Sequence, residues 1–228
     1  GYPKLQKSLQ ELIKNKLTTV QRLELSSDYI TEGHALKGVL KADMENIRAT
    51  MEKIDYNTFE DVVNNIFAAK RIYIIGLRSS MALAEFLGFY LNIILQNVKT
   101  VGYGISDIFE QMINVGEGDL VIGIGFPRYA SRTIDALAFA QDRGARVVAV
   151  TDSFLSPLAT RADYALIAQS NMASFVDSLV APLSVINALI IAVGMREKDN
   201  ISSTFNSLEE IWQEYNVYSY NNRNVGDD

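Results

Sequence analysis

Two stretches of the chain combine glycine, arginine and hydroxyl side chains at a spacing that suits an anion. They are Gly76-Leu77-Arg78-Ser79-Ser80 and Gly123-Ile124-Gly125-Phe126-Pro127-Arg128-Tyr129-Ala130-Ser131. Glycine lets the backbone turn tightly, and hydroxyls at a helix start stand beside its exposed N–H groups. That end of a helix attracts phosphate, and an arginine adds a full positive charge. A plain helix cap with a surface arginine would explain either stretch alone, since one glycine is not a dinucleotide fingerprint. Repetition of the same plan is what points to an anion site. A third polar stretch, Gln169–Ser174 (QSNMAS), either closes over a ligand or simply connects two elements. The candidate ligand-binding residues are Gly76, Arg78, Ser79, Ser80, Gly125, Arg128, Tyr129, Ser131 and Ser174.

Other groups carry less. Thr151-Asp152-Ser153 suits a cap for a helix at Ser156–Arg161, and Trp212, Tyr215 and Tyr218 share the helical spacing of core or interface residues. Asp107 and Glu110 would need raised pKa values to act as acids or bases. The chain has no cysteine, which excludes disulfides, thiolate metal sites and a cysteine nucleophile. Its one histidine, His34, excludes multi-histidine metal sites and leaves histidine acid–base chemistry only if that residue faces the site. Neither a catalytic residue nor a cofactor is expected.

At 228 residues and 48% hydrophobic composition, the chain can bury a sizeable core as one domain with an appendage. Net charge is −6, unevenly spread. Residues 1–22 hold Lys4, Lys7, Lys14, Lys16 and Arg22 against Glu11, leaving 16 basic against 26 acidic side chains beyond them. Only that basic arm would favour a polyanion. The sequence opens on Gly1 with no charged-then-apolar leader, so the expectation is a fragment without a signal peptide. Residues 175–195 approach membrane-spanning length. Asp177, Ser178, Pro182, Ser184 and Asn187 interrupt them, which fits a buried helix of a non-membrane protein better.

The elements follow from periodicity. Helices are expected at 4–16, 18–28, 34–53 and from Thr58 to Ala69, so the first seventy residues read as all-helical. Short apolar runs then appear at Arg71–Ile75, Val98–Val101, Leu120–Ile124, Val147–Val150 and Tyr164–Ile167. Helical stretches at about 79–96, 105–114, 130–143 and 155–161 alternate with them, which predicts parallel βαβ units. Runs without polar alternation fit strands covered on both faces. The expected fold is α/β: a three-layer α/β/α sandwich around a five-stranded parallel sheet, preceded by an all-helical N-terminal segment. Helices at 175–195 and 204–218 complete it, and the tail from Ser219 is expected to be disordered. Ligands of such sheets sit at the carboxyl ends of the strands, where all three polar stretches fall.

These residues also resemble a known family. A strand, Gly76-x-Arg78-Ser79-Ser80 and a helix resemble the first loop of SIS (sugar isomerase) domains, in the form seen in the RpiR family of bacterial transcriptional regulators. Ile122–Tyr129 (IGIGFPRY), RGARVVAVTDSFLSPLATRADYAL at 143–166 and SFVDSLVAPLSVINALI at 174–190 are similar to the same family. The likeness runs from about residue 58 to 195, and the opening GYPKLQKSLQ resembles the end of that family's helix-turn-helix domain.

The resemblance implies residues 1–28 as the end of that domain and a linker, and 29–57 as a connecting helix. It implies 58–218 as an SIS phosphosugar-binding domain, with 219–228 as a tail. Its further implications are a phosphorylated sugar or related small anion as ligand and operator DNA as a partner through the missing N-terminal domain. A homodimer or higher homo-oligomer, a cytoplasmic location and no membrane association go with these. The alternative it carries is a phosphosugar isomerase. SIS domains commonly place hydroxyl residues where this chain has Gly125, Pro127 and Ala130, which leaves Arg128 more of the neutralising and rests the second loop's case on Arg128 and Ser131.

Overall fold

The computed structural model describes residues 18–26 and 34–218. The expected helix at 4–16, most of the basic arm, residues 27–33 and the tail at 219–228 lie outside the described residues. A short helix α1 (Thr19–Ser26) and a long α2 (Ala35–Lys53) precede α3 (Tyr56–Ala68). Asp55 starts α3 by accepting hydrogen bonds from the Thr58 N–H at 2.9 Å and the Thr58 hydroxyl at 2.6 Å. This is the capping arrangement that satisfies an otherwise orphaned helix donor.

From Ile72 the chain alternates. The strands are β1 (Ile72–Gly76), β2 (Val98–Val101), β3 (Leu120–Ile124), β4 (Arg146–Thr151) and β5 (Tyr164–Ile167). The connecting helices are α4 (Met81–Leu95), α5 (Ile108–Gln111) and α6 (Ser131–Asp142), and α7 (Val180–Arg196) and α8 (Lys198–Glu214) follow β5. Every pairing is parallel, in the order β2-β1-β3-β4-β5. The expected five-stranded parallel sheet is therefore the one observed.

Successive strand residues point to opposite faces, and the core divides accordingly. Ile72, Ile74, Ile122, Val148 and Val150 pack with α3, α4 and α7 through Val63, Ile66, Leu87 and Ile186. Tyr73, Ile75, Val121, Val147 and Ala149 pack with α5 and α6 through Ile108, Met112, Leu137 and Ala140. β1 and β3 are buried throughout, which is why they read as continuous apolar runs.

Some boundaries differ from expectation. The helix expected at 175–195 begins only at Val180, because Asp177 and Ser178 use their side chains in bonds to other elements. Pro182 then lies in the first turn, where its missing N–H costs nothing. The stretch 105–114 holds only α5, started by a reciprocal capping box between Asp107 and Glu110. The stretch 155–161 holds a single 3-10 turn at Ala159–Arg161. α8 starts earlier than 204 because Ile201 is buried and anchors its first turn.

No single helix among the described residues is long and apolar enough to cross a membrane. The apolar α7 instead buries Ala181, Val185, Ile186, Leu189 and Val193 inside the fold.

Candidate functional site

The strand order reverses at β1. It pairs with β2 on one side and β3 on the other, and the chain leaves the carboxyl ends of β1 and β3 towards opposite edges of the sheet. In open parallel sheets the crevice at such a switch point is where ligands bind. Register puts Gly76 of β1 opposite Ile124 of β3, so the loops at 76–80 and 125–131 emerge side by side. The two stretches singled out by composition are thus neighbours in space.

The first loop is tight. A Cβ on Gly76 would stand 2.6 Å from the Ser80 carbonyl oxygen and 3.1 Å from its carbonyl carbon. Only glycine lets the chain fold back this closely. Arg78 takes a left-handed backbone with φ of 59°, opening the 3-10 turn Arg78–Ser80 that leads into α4. Its side chain and that of Ser79 face outward, while Ser80 is 4% exposed at the helix entrance. The serines were expected as possible caps, but Ser80 makes no side-chain capping bond. Ser79 Oγ instead donates to Asp177 Oδ2 at 2.8 Å. That bond ties the first loop to the third, which spans residues 168–179 between β5 and α7.

In the second loop Gly125 is held by its N–H donating to the Val150 carbonyl at 3.1 Å. A Cβ there would lie 2.8 Å from Leu158 Cδ2, so the space a hydroxyl-bearing side chain would need is filled by a fully buried leucine. Arg128 is exposed and donates from Nη2 to Thr19 Oγ1 at 3.1 Å. Tyr129 is turned inward, its hydroxyl donating to Asp152 Oδ1 at 2.7 Å. Burial and the Asp152 carboxylate raise its pKa, so it remains a protonated phenol and a hydrogen-bond donor. Ser131 is the exposed first residue of α6, and Ala130 occupies the capping position. Ser174 is half-buried in the third loop.

Residues not singled out complete the surroundings. Arg22, on α1, is 6% exposed and directs Nη1 to Met172 Sδ at 3.0 Å. Burial and then Arg128 lower its pKa, while Asp177 raises it, so three charged side chains from three segments share one neighbourhood. The third loop is also stitched to α2. Asn46 Nδ2 donates to the Asn171 carbonyl at 2.8 Å, and the Asn171 N–H returns a bond to Asn46 Oδ1 at 3.1 Å. The Gln169 N–H donates to Thr50 Oγ1 at 2.8 Å, and Ser178 Oγ to Asp43 Oδ1 at 2.6 Å. Nothing in the spacing of Arg22 or Asp177 signals these roles, because both depend on segments far apart in sequence.

The site is therefore two glycine–arginine–serine loops at a switch point, with basic side chains at 22, 78 and 128 and donor hydroxyls beside them. Arginines and hydroxyl donors together are the groups that charge-assisted hydrogen bonds to an anion require. Among the described residues no group of three or more histidines and carboxylates stands together as a metal site.

Fold and loops together define a sugar-isomerase-type domain. The SIS domain family matches residues 65–192, more than half of the chain, and the chain belongs to that family. It is 30% identical over 142 residues to an uncharacterized HTH-type transcriptional regulator of Haemophilus influenzae, covering 62% of this chain and 48% of that protein. The sugar isomerase domain of an RpiR transcription factor from Sphaerobacter thermophilus superposes with a TM-score of 0.74 at 29% identity, covering 78% of this chain and 99% of that one. The Vibrio vulnificus NanR protein, solved in complex with ManNAc-6P, shares the fold with a TM-score of 0.68 at 19% identity, over 88% of this chain and 76% of that one. The resemblance to regulators of the RpiR type, read first from the loops, is thus supported by likeness over 62% and 78% of the chain. The chain spans about half the length of this curated relative.

Proposed function

We propose that the chain is the effector-binding part of a DNA-binding transcriptional regulator of sugar metabolism, acting in the cytoplasm. A phosphorylated sugar or related small anion binds where the loops after β1 and β3 meet. Gly76 and Gly125 allow the close approach, and Ser79, Ser80 and Ser131 supply hydroxyls. Arg78 and Arg128 supply charge, and Tyr129 and Ser174 line the neighbouring loops. The observation that carries this reading is the pairing of two glycine–arginine–serine loops at the switch point of an SIS fold. Operator DNA is engaged by a helical domain ahead of residue 1, and residues 1–28 are its end and linker. The protein works as a homodimer or higher homo-oligomer, which the exposed apolar stripe Leu36, Leu40, Met44, Ile47 and Met51 along α2 supports.

The role is binding and not catalysis. Aldose–ketose isomerisation needs a positioned base beside the carbonyl. The stretches 76–80, 125–131 and 169–174 contain neither glutamate nor histidine, His34 stands at the start of α2, and the Asp177 carboxylate of the third loop accepts from Ser79. Tyr129, with its raised pKa, is a donor.

Calorimetric titration with glucose 6-phosphate, glucosamine 6-phosphate, N-acetylmannosamine 6-phosphate and ribose 5-phosphate tests the site. At least one is expected to bind, and Ser80→Ala and Arg128→Ala are each expected to weaken it roughly tenfold or more. Unchanged affinity in both variants would overturn the proposed site. Turnover of an aldose phosphate by this chain would favour the isomerase reading instead.

A further inference from the structure

α2 is built inside out. Asn46 and Thr50 are its buried residues, and both use their side chains on the third loop. Its large apolar side chains point away from that loop: Leu36, Val39, Leu40, Met44, Ile47 and Met51 are between 40% and 77% exposed. Exposed apolar residues scattered singly are normal, but a contiguous stripe of them on one side of a helix marks an interface. The spacing shows what fits over it. Turned about a point between Asp43 and Met44, Leu36 falls on Met51 and Leu40 on Ile47. A two-fold axis there pairs the stripe with its own copy running antiparallel, each side supplying the same residues. Charge agrees with this direction. Residues 34–42 hold Lys37 and Lys41 and no acid, a balance of +2. Residues 43–53 hold Arg48 and Lys53 against Asp43, Glu45 and Glu52, a balance of 2 − 3 = −1. Antiparallel pairing sets the positive half of each helix beside the negative half of the other, whereas parallel pairing stacks like on like.

We infer that α2 packs against α2 of a second copy of this chain, antiparallel, about a two-fold axis beside Met44. This rests on the homo-oligomer reading above and specifies its partner surface, direction and register. Because Asn46 and Thr50 of the same helix hold the third loop, the interface lies one helix away from the ligand site in both protomers.

The test is disulfide trapping in the whole chain, which has no cysteine of its own, so an introduced thiol reports one position. Met44→Cys stands next to its own copy at the axis and is expected to run mostly as a linked dimer after mild oxidation. Leu36→Cys and Met51→Cys are each expected to stay unlinked alone and to link when the two variants are mixed. A disulfide needs Cα atoms within about 7 Å, and two copies of Leu36 would stand roughly 22 Å apart along the axis. Sedimentation of the unaltered chain and of each reduced variant runs beside the trapping, so a variant that fails to fold or assemble is recognised as such. If the reduced variants sediment as the unaltered dimer does and Met44→Cys stays unlinked, the pairing is wrong and the homo-oligomer reading stands. The stripe is then covered by residues 4–16 or by a different face of the second copy. Linking of Leu36→Cys with itself, as strong as that of Met44→Cys, also overturns it, because that is the pattern of parallel helices. If the unaltered chain sediments as a monomer, the homo-oligomer reading fails and the pairing with it.

Discussion

Arg78 occupies a backbone conformation that most side chains avoid, with φ of 59° at the entrance to the 3-10 turn. Left-handed backbone costs an ordinary residue about 1–2 kcal/mol. Arg78→Gly is therefore expected to hold or raise the melting temperature while weakening phosphate binding, a split that thermal scans and calorimetry on one variant would show. Gly76→Ala should do the reverse kind of damage. Its Cβ would stand 2.6 Å from the Ser80 carbonyl oxygen, so the turn must shift, at a cost of roughly 1–3 kcal/mol and with loss of ligand affinity. Tyr129→Phe removes the bond to Asp152 and is expected to lower stability by about 1 kcal/mol in chemical denaturation. Its effect on affinity is expected to be smaller than that of Arg128→Ala. At this scale the sequence showed two glycine–arginine–serine stretches at strand ends, and the structure sets them side by side. Arg22 was not legible: it looked like one more charge on a basic arm, and its burial depends on Met172, 150 residues away.

At the scale of elements, strand limits were readable to within a residue because β1, β3 and β4 are sharply bounded apolar runs and β2 and β5 are short β-branched or apolar ones. The start of α7 was not, because it depends on the bonds of Asp177 to Ser79 and of Ser178 to Asp43, partners far away in sequence. α3 offers a pH test. Its cap Asp55 is held below the usual carboxylate range, first by the Thr58 hydroxyl and then by the Thr58 N–H. A depressed folded pKa contributes stability above the unfolded value and loses it as pH falls through the folded one. Asp55→Ala is thus expected to lower the melting temperature at neutral pH, and the gap should close as the solution is taken below about pH 4. α4 ends on Gln96 in left-handed conformation, with φ of 59°. Glycine suits that position, so Gln96→Gly is expected to stabilise the fold by roughly 0.5–1 kcal/mol.

For the molecule as a whole, the alternation of strands and helices was enough to read an α/β sandwich, and it led to the right sheet. Strand order was a different matter. Periodicity says nothing about which strand lies beside which, yet it is the pairing of β1 with β3 that brings the loops at 76–80 and 125–131 together. Assembly is likewise beyond local pattern. The apolar stripe on α2 is interrupted by charged residues at helical spacing, and its exposure is evident only once the opposite face is seen bonded to the third loop. Sedimentation of Leu40→Glu with Met44→Glu is expected to show a lower mass than the unaltered chain. An unchanged mass would remove α2 from the interface.

Asp43, Asn46, Thr50 and Lys53 of α2 each bond to the third loop. The helix runs on from there to Ala35 at its other end. With a rise of about 1.5 Å per residue, Ala35 stands roughly 22 Å from Thr50 along the axis. A tilt of about 10° around Thr50 would carry that far end through roughly 4 Å. Length alone would therefore make α2 an oar in its rowlock: any small turn at the third loop would be multiplied at the blade.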